Sequence, residues 1–103
     1  MQTTILSKAS LLETLKHHSS EIKAFGVKSL GLFGSFVRNT ATENSDIDFL
    51  VDFYPGQKTY DNFMELSFFL QGLFGRKIEL VTPQSLNKYI GPHILKEVEN
   101  VSL

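Results

Sequence analysis

The chain contains no cysteine. That excludes a disulfide framework, a thiolate metal site and a cysteine nucleophile. No apolar run reaches the length of a transmembrane helix, and Met1 to Ser10 lacks the cationic stretch and apolar core of a signal peptide. Charge of one sign is also missing: the formal net charge is −1, so no global basic field draws the protein to nucleic acid or to an anionic membrane. There is no internal repeat, low-complexity tract or linker. What remains is ordinary globular material, 42% hydrophobic and 20% charged over 103 residues. This is enough for one independent core, and the expectation is a single cytoplasmic domain over residues 1–103.

The pattern alternates between helix and strand. Leu11, Leu12, Leu15, Ile22 and Phe25 recur near helical spacing between about Ser7 and Phe25, with a break near His18-Ser19-Ser20 and a stop at Gly26. Val27 to Phe33 reads as a strand and Ser35 to Arg38 as a short helix. Ser45 to Phe53 reads as a second strand, after a polar loop from Asn39. Tyr54-Pro55-Gly56-Gln57 is a turn signal. A helix from about Asp61 to Phe74 carries Phe63, Leu66, Leu70 and Leu73 on one stripe. Arg76 to Val81 is a third strand, and Thr82-Pro83 begins a short helix or turn. Gly91-Pro92 opens a last helix with Ile94, Leu95, Val98 and Val101 on its apolar face. The order predicts an α/β fold, a short mixed sheet packed with helices. The first two strands are close enough in sequence to be antiparallel neighbours.

Chemistry is suggested by one pattern: Gly34-Ser35, ten residues, then Asp46-x-Asp48. On a strand, Asp46, Asp48, Leu50 and Asp52 share one face, while Ile47, Phe49, Val51 and Phe53 take the other, the core face. Two residues of strand separate Asp46 from Asp48 by about 6.6 Å of backbone, a spacing from which carboxylates can converge on one divalent cation or bridge two. Hard oxygen donors suit Mg²⁺, which binds one or two carboxylates together with substrate phosphates. Gly34 permits a sharp turn and close backbone approach. The free N–H groups of the following helix, with the Ser35 hydroxyl, suit phosphate oxygens. In the third strand, Glu79 lies amid Ile, Leu and Val, where an unpaired buried charge is costly and a metal is a suitable partner.

Gly34-Ser35 with Asp46-x-Asp48 resembles the signature of the minimal nucleotidyltransferases of the polymerase-beta-like superfamily, and among them the MNT antitoxins of HEPN/MNT toxin–antitoxin pairs. The resemblance runs from about Leu6 to Val98, with its specific part at residues 31 to 52. It implies a minimal nucleotidyltransferase fold and a Mg²⁺-dependent protein adenylyltransferase that moves AMP from ATP to a hydroxyl, a tyrosine of a HEPN ribonuclease toxin. It implies a third metal carboxylate on the strand after the long helix, where Glu79 stands in place of the common Asp. Asp46, Asp48 and Glu79 are then the catalytic and metal-binding residues for two ions, and Gly34, Ser35 and Arg38 the nucleotide-binding ones. Where the family often has Arg-Gly after the short helix, this chain has Arg38-Asn39. Asn tolerates left-handed backbone, so the turn is expected to survive. A thin lobe of this size has little to enclose an acceptor, which favours a docking protein over a small molecule.

Other readings stand beside these. Two acids on a strand face can be solvated surface, and Asp52, a further pleat along, reads as a strand-end residue. An EF-hand is excluded by the apolar residues after Asp48. Arg38 either reaches a triphosphate or closes the short helix at its C-terminal dipole. Ser45 reads as a loop cap. His17, His18 and His93 show no ligand spacing, and the nine Phe residues are expected mostly in the core. An alternative function is a binding antitoxin that masks its toxin stoichiometrically with little or no transfer. A nucleotidyltransferase subunit acting on nucleic acid fits the superfamily but not the neutral charge.

Overall fold

The structure is a computed structural model that describes residues 6–103; residues 1–5, part of the stretch read for a signal peptide, lie outside them. Ser7 starts α1 (Lys8–His17) with a capping box: its hydroxyl accepts from the Ser10 amide, and the Ser10 hydroxyl accepts from the Ser7 amide. The helix breaks at His18, where the sequence pattern breaks, and resumes as α2 (Ser19–Lys23). There follow β1 (Val27–Phe33), α3 (Ser35–Arg38), β2 (Ile47–Phe53), α4 (Tyr60–Phe74), β3 (Ile78–Val81), a 3-10 turn (Pro83–Ser85), α5 (Gly91–Glu97) and β4 (Glu99–Asn100).

The sheet has the order β3-β2-β1-β4. β1 runs antiparallel to β2, as its short connection predicts, while β2 and β3 are parallel and linked by α4. In β2 every second residue is buried: Ile47, Phe49, Val51 and Phe53. They join Leu30 and Leu32 of β1, Ile78 of β3, Leu11 and Leu15 of α1, Ile22 of α2, and Leu66 and Leu70 of α4 in one core. Burying each such side chain contributes about 1.5–3 kcal/mol. Helices α1, α2 and α4 therefore occupy one side of the sheet and leave Asp48 and its alternation partners on the other, where α5 brings Ile94 beside Phe33 and Glu79. Only Phe68 among the phenylalanines stands mainly in solvent.

Three boundaries differ from the sequence reading. β2 begins at Ile47, so Asp46 lies just ahead of the strand. β3 begins at Ile78, and Arg76-Lys77 form its approach. α5 ends at Glu97, with Val98 already extended at φ −61° and ψ 136°. The spacing of Val98 and Val101 imitates a helix, but the chain turns into β4 beside β1, and the Val101 amide donates to the Leu30 carbonyl at 2.8 Å. Gly31 makes this crossing possible, since a Cβ there would collide with Val98 Cγ2. A two-residue strand is too short to leave a periodic pattern, so β4 had no signal in the sequence.

Candidate active site

The strand register assembles the site. Asp48 pairs with Phe33 of β1 on one side and with Glu79 of β3 on the other. Phe33 is followed at once by Gly34, so Asp48 lies between the turn and Glu79. Gly34 adopts φ 81° and ψ −152°, a region essentially reserved for glycine. A Cβ added there would land on Asp48 Oδ2. The bare backbone is thus what lets the carboxylate sit against the turn. The Gly34 carbonyl accepts from the Val37 and Arg38 amides at 3.1 Å each and starts α3. Asn39 ends α3 in the left-handed region at φ 61° and ψ 34°, as expected of Asn in place of Gly. The Ser35 side chain is half-buried, and among the described residues its hydroxyl makes no hydrogen bond.

The electrostatics converge on Asp48. Its carboxyl is pushed up to about 6, first by burial and then by the charges of Glu79 and Asp46, with Glu97 adding to the rise and Arg38 opposing it. Asp46 faces Lys77 at 3.8 Å, with both side chains well solvated, an arrangement that contributes little to stability. Glu79 is exposed. The premise that it is buried among apolar residues therefore does not hold, because β3 is an edge strand and this face is open. What links Glu79 to Asp48 is register and charge. Asp46, Asp48 and Glu79 are oxygen donors of the chemical type that divalent cations take, and the central one is disfavoured as an anion. Among the described residues no three acids are drawn together tightly enough to grip an ion unaided.

Two residues outside the motif shape the site. Arg76 donates to the carbonyls of Thr42 at 2.8 Å and Ser45 at 3.0 Å, and its guanidinium lies 5.3 Å from the centre of the Phe36 ring. It fastens the loop that delivers Asp46. Ser45 helps as a loop cap, accepting from the Thr42 amide at 2.8 Å. Glu97, at the end of α5, accepts from the Gly34 amide at 3.1 Å and pairs with Arg38 at 3.1 Å. Arg38 is thus held by a partner on a distant element. His17 pairs with Glu13 and His18 with Glu21 on α1 and α2. Beside Glu79 is an apolar hollow of about 260 Å³, lined by Phe33, Val81, Leu86, Ile90 and Ile94.

This geometry agrees with what the chain is similar to. A family model for the nucleotidyltransferase domain matches residues 10–101. The protein adenylyltransferase MntA of Thermococcus cleftensis is 38% identical over 95 residues, covering 91% of this chain and 95% of its own. A solved structure assigned to the minimal nucleotidyltransferases superposes with a TM-score of 0.80 at 27% identity, covering 94% of this chain and 98% of that one. A toxin–antitoxin structure with AMP-PNP shares the fold, with a TM-score of 0.62 at 20% identity over 94% of this chain and 73% of the other. A sheet that sets Asp48 between Gly34 and Glu79, a domain match over most of the length and a relative this similar together establish that the chain belongs to the nucleotidyltransferase family.

Proposed function

We propose that the protein is a Mg²⁺-dependent adenylyltransferase that acts as an antitoxin, moving AMP from ATP to a hydroxyl, a tyrosine, of a cognate HEPN ribonuclease toxin. The observation that carries this reading is the position of Asp48, opposite Glu79 and against Gly34, so that acids and phosphate turn share one small surface. Asp46, Asp48 and Glu79 would hold the metal, two ions in all, and the chemistry it would supply there is a lowered pKa for the acceptor hydroxyl and neutralised charge on the triphosphate. Gly34 and Ser35 take the phosphates through the turn's N–H groups and the Ser35 hydroxyl, and Arg38 adds a guanidinium. The acceptor oxygen bonds to the α-phosphorus and the α–β anhydride bond breaks. Pyrophosphate leaves, and the hydroxyl proton passes to a carboxylate of the cluster. Asp46, Glu79 and Arg38 are all at or near the surface, so a protein acceptor reaches them without an opening step.

The decisive experiment incubates the protein with labelled ATP, Mg²⁺ and the toxin encoded beside it. Covalent label on the toxin is expected; a stable complex without label would favour stoichiometric masking instead. Calorimetry gives a separate check, since ATP is expected to bind much more tightly with Mg²⁺ than with EDTA. Equal affinities would contradict the metal assignment. Ser35→Ala removes a hydroxyl that donates to a charged oxygen, a bond of roughly 1.5–3 kcal/mol. It is expected to reduce ATP use about tenfold or more with an unchanged melting temperature. Unchanged kinetics would leave Ser35 with no part in nucleotide binding.

A further inference from the structure

We propose that Glu97 is an internal stand-in for the nucleotide's phosphates, so that ATP enters only by displacing it. The inference rests on the assignment of Gly34 and Arg38 to phosphate binding. One Glu97 carboxylate oxygen accepts from the Gly34 amide at 3.1 Å, and both oxygens lie 3.1 Å from Arg38 Nη1. These are the backbone donor and the guanidinium that an incoming phosphate needs, and the single Gly34 N–H cannot serve both anions fully. The Glu97 side chain is 24% exposed against 56% for Arg38, so the acid is seated in the turn and the arginine closes over it from solvent.

Nothing in α5 itself asks for an acid at this place. Carboxylates are disfavoured in the last turn of a helix, where cations are favoured, and Glu97 is the final residue of α5. Its partners all lie across the fold on the phosphate turn. It is also a fourth anion beside Asp46, Asp48 and Glu79, and its charge is one of those that push the Asp48 carboxyl up. A group held by one amide and one exposed arginine, and repelled by its neighbours, can be exchanged for a better anion. Triphosphate brings more charge than a carboxylate and arrives with cations that the three acids attract. Glu97 therefore fills the turn when nucleotide is absent and sets how tightly nucleotide binds.

The test uses the full chain and calorimetry with Mg²⁺-ATP, tripolyphosphate with Mg²⁺, and adenosine. Glu97→Gln removes the charge while keeping the shape; Glu97→Ala removes the contact as well. Both are expected to tighten ATP and tripolyphosphate by about tenfold, the size of one charged hydrogen bond no longer in competition, and to leave adenosine unchanged. ATP affinity that stays equal or falls in both folded variants, while the parent binds ATP, overturns the inference and makes Glu97 a residue that positions Arg38. An equal gain for adenosine also overturns it, because loosening of the fold would then be the cause. If neither parent nor variants bind Mg²⁺-ATP, the nucleotide site itself is wrong and the inference falls with it.

Discussion

Replacing Asp48 by asparagine is expected to abolish AMP transfer and, at pH 7 without metal, to leave the protein more stable than its parent by about 1 kcal/mol, a typical scale for one substitution. The two effects have one origin. The native fold holds Asp48 half-buried beside Glu79 and Asp46, which raises its carboxyl from 3.8 to about 6. A carboxyl raised on folding binds its proton more tightly in the native state. Its contribution is therefore favourable below about pH 4, is lost as pH rises through 6, and leaves ionised Asp48 as a cost at neutrality. The full displacement corresponds to at most about 3 kcal/mol. Partial solvation and the polar amide left behind reduce the realised gain. Asparagine keeps the shape and removes the charge, so the stability difference should be clear at pH 7 and absent near pH 3.5. An amide is a poor Mg²⁺ ligand, so Mg²⁺-ATP should raise the melting temperature of the parent more than that of the variant. Thermal melts at the two pH values, with and without Mg²⁺-ATP, paired with a transfer assay, read every term. A variant clearly less stable at pH 7 without metal would make Asp48 a structural residue. Transfer at the parent rate would remove it from the catalytic assignment.

The parts of this arrangement that were legible in the sequence are those that local geometry fixes. The alternation of Ile47, Phe49, Val51 and Phe53 identifies the core face and puts Asp48 on the other. Gly34 before a short helix signals a turn that side chains would obstruct, and Asn39 signals a left-handed close; both residues have positive φ. Glu79 could be set opposite Asp48 only through the resemblance, because parallel pairing across α4 leaves no local mark. Its exposure contradicts the burial that its apolar neighbours suggested. Contacts between distant segments were not legible. Arg76 reaches Thr42 over 34 residues, and Glu97 reaches Gly34 over 63. An arginine after a helix stop and a glutamate at a helix end each look like solvated surface until the fold brings their partners to them. The helical spacing of Val98 and Val101 concealed the turn into β4, and with it the fact that Glu97 ends a helix at the site.

Gly34→Ala is expected to be the most damaging single substitution at the turn, lowering stability by about 3 kcal/mol and eliminating ATP use. Two costs combine. The backbone at φ 81° and ψ −152° is strained for any side chain, on the order of 1–3 kcal/mol. The new methyl would also strike Asp48 Oδ2 and crowd its Cγ at 2.9 Å, so either the carboxylate or the turn must move. Gly56 provides an internal control. Its φ of 80° is nearly the same, but a Cβ there meets nothing within 4 Å, so Gly56→Ala should cost only about 1 kcal/mol through the backbone. The steric share at Gly34 can be separated by a double-mutant cycle with Asp48→Ala, which removes the atoms in collision. In that background Gly34→Ala should cost less by about 1 kcal/mol or more, within the range of coupling for residues in contact. Urea unfolding of the four cycle members and of Gly56→Ala measures each quantity. An alanine at position 34 no more harmful than one at position 56, or a cost unchanged when Asp48 is truncated, would show that turn and carboxylate are independent, and that the fold does not need a bare backbone at Gly34 to seat the acid at the centre of the site.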